Sequence, residues 1–119
     1  MFWAIVVLLI IGGLGASWYM KTLPGQYDAL AQCLKDKGAL FYGAFWCPHC
    51  QEQKKMFGNS AKLLPYVECS LADQKTQTPI CIEKEIKSYP TWIFADGSKL
   101  TGEQQPKVLA EKTGCSMPE

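Results

Sequence analysis

The first twenty residues, MFWAIVVLLIIGGLGASWYM, carry no charged side chain, and they remove a sixth of the chain from any water-soluble core. As a helix, twenty residues span ~30 Å, the hydrocarbon thickness of a bilayer. Trp3 stands near one end and Trp18 and Tyr19 near the other, where amphipathic rings favour the headgroup level. The alternative is a signal peptide cleaved near Gly15-Ala16-Ser17. No Lys or Arg precedes the apolar run, which favours an uncleaved anchor. Residues 1–20 therefore read as a membrane anchor or signal segment, 21–25 as a linker, and 26–119 as one small folded domain.

Twelve basic and eleven acidic residues nearly cancel, so neither a nucleic-acid groove nor a polybasic membrane patch is indicated. Two observations bear on membrane side. Lys21, Lys35 and Lys37 follow the span, and the positive-inside tendency would keep them cytoplasmic. Six cysteines in so small a domain point instead to an oxidising compartment. The cysteine density favours the outer face, periplasmic or extracellular, of a single-pass protein.

Along the domain, Tyr27, Leu30, Ala31 and Leu34 recur at helical spacing, with Gly38 as a stop. ALFYGAF reads as a buried strand ending at Trp46. From Pro48 the pattern turns helical, with Cys50 and Phe57 on one face and Gly58 or Asn59 at the end. YVEC is a second strand, and Thr78-Pro79 starts a helix through about Lys87. TWIF and KLTG are strands three and four across an Asp96-Gly97 hairpin. A helix over Gln104–Thr113 ends at Gly114. The order α-β-α-β-α-β-β-α predicts an α/β fold with a central mixed four-stranded sheet flanked by helices.

FWCPHC carries the chemistry. Cys47 falls where a strand feeds a helix, and Pro48 takes the first helical position, where a missing N–H costs nothing. The free amides and positive dipole end of the first turn then face the Cys47 sulfur. With His49 beside it, this should lower the Cys47 pKa and make it the attacking thiolate. Cys50, one turn inward, is placed to resolve a mixed disulfide. A stabilised thiolate favours the reduced pair, so the disulfide should lean toward oxidising or isomerising its substrates, by ~30 mV per pKa unit.

FWCPHC after a buried strand resembles the active site of the thioredoxin superfamily, with the insert of DsbA-type oxidases. SYPTW supports the resemblance, because Pro90 before a strand falls where that superfamily places a cis-proline facing the two sulfurs. The resemblance implies that Tyr89 exposes its backbone to a bound peptide and that Trp46 and Trp92 line the groove; both tryptophans also suit a core. YGAFWCPHCQEQKKMFG, YVEC, IKSYPTW and LTGEQ together are similar to the thioredoxin-like domain associated with bacterial vitamin K epoxide reductase homologues, from about Gln26 to Cys115. That implies a domain exchanging disulfides between exported cysteine-containing proteins and a quinone-linked membrane enzyme. With one span, the chain leaves that enzyme to a separate protein. One position departs from the pattern: Phe41 stands where many thioredoxins bury a carboxylate. A proton relay for Cys50 would then come from Glu68, Glu52 or water.

The resemblance also implies a structural disulfide between Cys69 and Cys81, closing a loop for ~3 kcal/mol on the chain-entropy account; a second redox pair is the alternative. Cys33 and Cys115 either bond across the two ends of the domain or stay as half-buried thiols. Zinc fits poorly, since the spacing C-x2-C-x18-C-x11-C has no second close pair. A tethered copper-binding or zinc-binding module is the rival to the enzyme, with Met56 and Met117 as added copper ligands. The expected activity is that of a thiol–disulfide oxidoreductase needing no bound cofactor or metal, because the cysteine pair itself carries two electrons. Gln51, Glu52 and Gln53 are expected to face water.

Overall fold

The structure, a computed structural model, describes residues 1–118; Glu119, the last residue of the predicted domain, and the Lys21 side chain lie outside the described residues. Helix α1 runs Phe2–Thr22. Its stretch Phe2–Met20 has a mean hydropathy of 1.9, with none of it buried inside the protein. It is long and apolar enough to cross a membrane, and equally suits a signal sequence.

The linker is knitted to the domain. Asn59 Nδ2 donates to Met20 O at 3.0 Å and Leu23 O at 3.4 Å, satisfying carbonyls that a helix end leaves free. Ser60 donates to Asp28 Oδ1 at 2.7 Å and accepts from Tyr27 N at 2.9 Å.

Helix α2 (Asp28–Asp36) buries Leu30, Ala31 and Leu34. Strand β1 (Leu40–Gly43) follows Gly38, whose φ of +81° suits a residue without Cβ. Helix α3 (Pro48–Phe57) continues as a 3-10 turn over Gly58–Leu63. Strand β2 (Tyr66–Glu68), the short helix α4 (Pro79–Glu83), strands β3 (Thr91–Ile93) and β4 (Lys99–Thr101), and helix α5 (Pro106–Thr113) complete the domain. The sheet order is β2-β1-β3-β4. β1 pairs parallel with β2 and antiparallel with β3, placing Phe41 opposite both Tyr66 and Trp92, and β3 pairs antiparallel with β4. This is the mixed four-stranded α/β sheet that the pattern predicts.

Strands β2, β3 and β4 each stop one residue short of YVEC, TWIF and KLTG, and three elements of the domain differ by two residues or more. β1 stops at Gly43, because the next residues turn: Cys47 N donates to Ala44 O at 3.0 Å. α4 ends at Glu83 rather than Lys87, where Glu85 adopts a positive φ of 56°. α5 begins at Pro106, since Gln104 N is bound by the Gln53 side chain instead of joining a helix.

Alternation along β1 sends neighbours to opposite faces. Phe41 joins a core with Leu30, Phe57, Trp92 and Leu109, stacking on Trp92 at 4.9 Å. Tyr42 joins a smaller cluster with Cys69, Cys81 and Ile86. Cys33 is bonded to Cys115, tying α2 to the chain after α5, and Cys69 to Cys81 across a separation of 12 residues.

Candidate active site

Of six cysteines, Cys47 and Cys50 alone are free. Cys47 caps α3 with extended backbone angles (φ −77°, ψ 120°), and Pro48 opens the helix. The first-turn amides therefore point toward the Cys47 end of the helix. Cys47 remains 6 % exposed, whereas Cys50 is wholly enclosed. Burial above all pushes the Cys50 thiol up to about 12, and the Cys47 sulfur adds to the rise; a backbone hydrogen bond at Ala44 and the Lys54 charge oppose it. Cys50 thus stays a protonated, shielded thiol near neutral pH, and any attack from solvent falls to Cys47.

Packing beneath Cys50 is close. A Cβ on Gly43 would approach Cys50 Sγ to 2.9 Å and the Tyr66 ring to 3.0 Å, so glycine alone fits there. Phe41, at the position where many thioredoxins bury a carboxylate, is fully buried, stacked on the Trp92 ring and edge to face with the Tyr66 ring at 5.1 Å. The Tyr66 hydroxyl donates to Glu68 Oε1 at 3.1 Å, and burial followed by the Glu68 charge raises its pKa. Lys54 Nζ lies 3.9 Å from the centre of the same ring. Glu68 Oε2 accepts from the backbone N–H groups of Phe45, Cys69 and Ser70. Glu52 points away, paired with Lys55 at 3.1 Å.

On the other side of the sulfur, the Tyr89–Pro90 peptide is cis, and the Cys47 thiol faces the Tyr89 carbonyl at 3.8 Å. The Trp46 and Tyr89 rings stand edge to face at 6.2 Å. Trp46 is 38 % exposed. Its indole N–H donates to Ser70 Oγ at 2.8 Å. Trp92, by contrast, is a core residue. His49 turns outward, its Nδ1 3.4 Å from Glu103 Oε1.

The structure thus gathers Trp46, Cys47, Pro48, His49, Cys50, Tyr89 and Pro90 at one end of the sheet. The other four cysteines are bonded as Cys33–Cys115 and Cys69–Cys81, the second pair fully buried. The expectation that Gln53 faces water fails. Gln53 is fully buried, accepting from Trp92 Nε1 and Gln104 N and donating to Gln104 O at 2.8 Å. A signal existed in the spacing, since Cys50, Gln53 and Phe57 form an i, i+3, i+7 stripe. Met56 packs against the core, away from a ligand role.

The thioredoxin family model matches residues 21–113. The chain belongs to the thioredoxin family. It is 50 % identical over 93 residues to the thiol-disulfide oxidoreductase LTO1 of Arabidopsis thaliana, covering 75 % of this chain but 24 % of that protein. The chain therefore spans about a quarter of that relative's length. It is 21 % identical over 109 residues to protein disulfide isomerase-like 5-1 of Oryza sativa subsp. japonica, covering 86 % of this chain and 74 % of that one. Mitochondrial thioredoxin 3 of Saccharomyces cerevisiae in its oxidised form aligns with a TM-score of 0.43 at 22 % identity, over 64 % of this chain and 74 % of the other. For a thioredoxin domain, the expected cysteine pair is in place at the start of α3, without a carboxylate beneath it.

Proposed function

We propose that this thioredoxin-family chain is a membrane-anchored thiol–disulfide oxidoreductase exchanging disulfides with exported proteins. One observation carries the reading: of the two unbonded cysteines, one keeps a slight 6 % exposure at a helix start and the other is wholly enclosed a turn inward. Their environments differ enough to give them different roles. The names of the Arabidopsis and rice relatives support the same activity.

In the oxidising direction, a substrate thiolate attacks Cys47 Sγ of the Cys47–Cys50 disulfide. The S–S bond breaks, Cys50 leaves as thiolate and takes up a proton, and a mixed disulfide forms. A second substrate thiolate then displaces Cys47, closing the substrate disulfide and leaving the pair reduced by two electrons. Reoxidation needs a disulfide-bearing acceptor, and a quinone-linked membrane enzyme of the vitamin K epoxide reductase type fits that need. Pro48 sets the helix start, His49 tunes the couple, and Tyr89 with Pro90 offers backbone to the substrate chain. Apolar α1 holds the domain at the membrane, on the outer side. No cofactor beyond the pair is required. A copper or zinc module would lean on the two thiols and His49, and His49 is turned toward Glu103.

Single-cysteine variants test the assignment. Cys47→Ser should abolish exchange with a disulfide-linked peptide, while Cys50→Ser should accumulate the peptide as a mixed disulfide on Cys47. A peptide trapped on Cys50 instead would sink the division of roles. Stoichiometric copper or zinc retained through purification would favour the metal module.

A further inference from the structure

Between Cys69 and Cys81 lies a loop that the reaction above does not use. Its ends are joined by the disulfide and by Thr78 N donating to Cys69 O at 2.8 Å. Near its base Ser70 and Gln77 face each other as an isolated antiparallel bridge. Each holds one of the two aromatic residues beside Cys47, Trp46 and Tyr89. Ser70 Oγ accepts from the Trp46 indole N–H at 2.8 Å and donates to Leu71 O at 2.8 Å. Gln77 Nε2 donates to the Tyr89 hydroxyl at 3.0 Å and to Ile86 O at 2.9 Å. Thus Gln77 grips both ends of the segment that presents the Tyr89 carbonyl to the sulfur.

We infer that this closed loop is a bracket for the polypeptide substrate: Ser70 and Gln77 are positioning residues that hold Trp46 and Tyr89 at a fixed separation on either side of Cys47, and the Cys69–Cys81 bond keeps their own spacing. The inference rests on the oxidoreductase reading and adds what recognises the substrate. An aromatic side chain at a surface loses rotamer freedom when its polar tip is tied down, and that ordering is then complete before a ligand arrives. The two rings stand nearly perpendicular, at 85°, with exposed Phe45 and Leu71 next to the tethered residues. The walls are apolar, so the fitting substrate is an extended chain with an apolar side chain adjacent to its cysteine. A small thiol reagent needs neither wall.

The test compares two reagents on the full chain, in the unmodified protein and in Ser70→Ala, Gln77→Leu and Cys69→Ala/Cys81→Ala. Exchange with a disulfide peptide bearing Phe beside its cysteine should slow roughly tenfold in each variant. Alkylation of Cys47 by iodoacetamide should stay within about twofold, since the helix start is untouched. Ser70→Thr, which keeps the hydroxyl, should restore the peptide rate. Hydrogen exchange at the Trp46 indole N–H, followed by NMR, reads the bracket without any activity and should quicken in Ser70→Ala and in the double cysteine variant. Unchanged peptide rates with unchanged indole exchange overturn the bracket. Equal losses with peptide and iodoacetamide overturn it too, because the loop then acts on the sulfur itself. An unmodified protein whose Cys47 alkylates but exchanges with no peptide defeats the oxidoreductase reading, and the bracket with it.

Discussion

Cys50 and Cys69 meet the same residue and lead opposite chemical lives. Cys69 N donates to Gly43 O at 2.7 Å, while Cys50 Sγ would lie 2.9 Å from a Cβ on that glycine. Both side chains are fully enclosed. Yet Cys69 is locked to an equally buried Cys81, whereas Cys50 is free beside a partner that reaches solvent. Burial alone therefore does not separate a staple from a reactive pair. The separation comes from access: a thiolate can attack only a sulfur that it can reach, and the start of α3 leaves Cys47 6 % exposed while Cys69 and Cys81 are wholly enclosed.

The largest break in this comparison comes from removing the staple. Cys69→Ala/Cys81→Ala should cost about 3 kcal/mol in denaturant unfolding, with the Cys47–Cys50 reduction potential little changed. A large potential shift would mean that the two pairs communicate. Gly43→Ala attacks the shared residue. Its methyl group must displace Cys50 or the Tyr66 ring, and overpacking of this kind costs about 1–3 kcal/mol. Full stability in that variant would show that the floor under Cys50 is soft.

A smaller effect sharpens the contrast through pH. The Cys50 thiol rises from an ordinary 9.0 to about 12 on folding. A group raised in this way lends stability that is complete below its unfolded value and is lost as pH climbs through the folded one. The reduced protein should therefore lose stability from pH 9.0 toward 12 relative to its disulfide form, in which Cys50 has no proton to give. Tyr66 is also raised, by burial first and then by Glu68; both act in either form, and only the last and smallest causes, the Cys50 and Cys47 charges, belong to the reduced form alone. Smallest of all, His49→Leu should make the couple more reducing by ~30 mV, the equivalent of one pKa unit at the sulfur. A redox titration showing an unchanged or more oxidising potential would remove His49 from the tuning.

Much of the architecture was legible because it rests on local rules. The apolar run of ALFYGAF, proline at the starts of α3 and α4, and glycine after α5 each follow from short-range rules. The placement of the free cysteine pair at a helix start was legible for the same reason, since a strand, two cysteines and a proline are contiguous. Gln53 was misread because its partners, Trp92 and Gln104, lie 39 and 51 residues away; an amide on an apolar stripe looks solvated until those partners close over it. Ser70 and Gln77 were invisible likewise, being ordinary loop residues until the fold sets Trp46 and Tyr89 against them.

By itself the sequence determined the order of elements, the apolar leading helix and which cysteine begins a helix, since hydrophobic period and backbone stereochemistry act over a few residues. Only the tertiary structure decided which thiols are enclosed, how Cys33 and Cys115 pair, and which side chains frame the sulfur. Those outcomes depend on desolvation and on hydrogen bonds between distant segments, and neither exists until the sheet has brought the segments together.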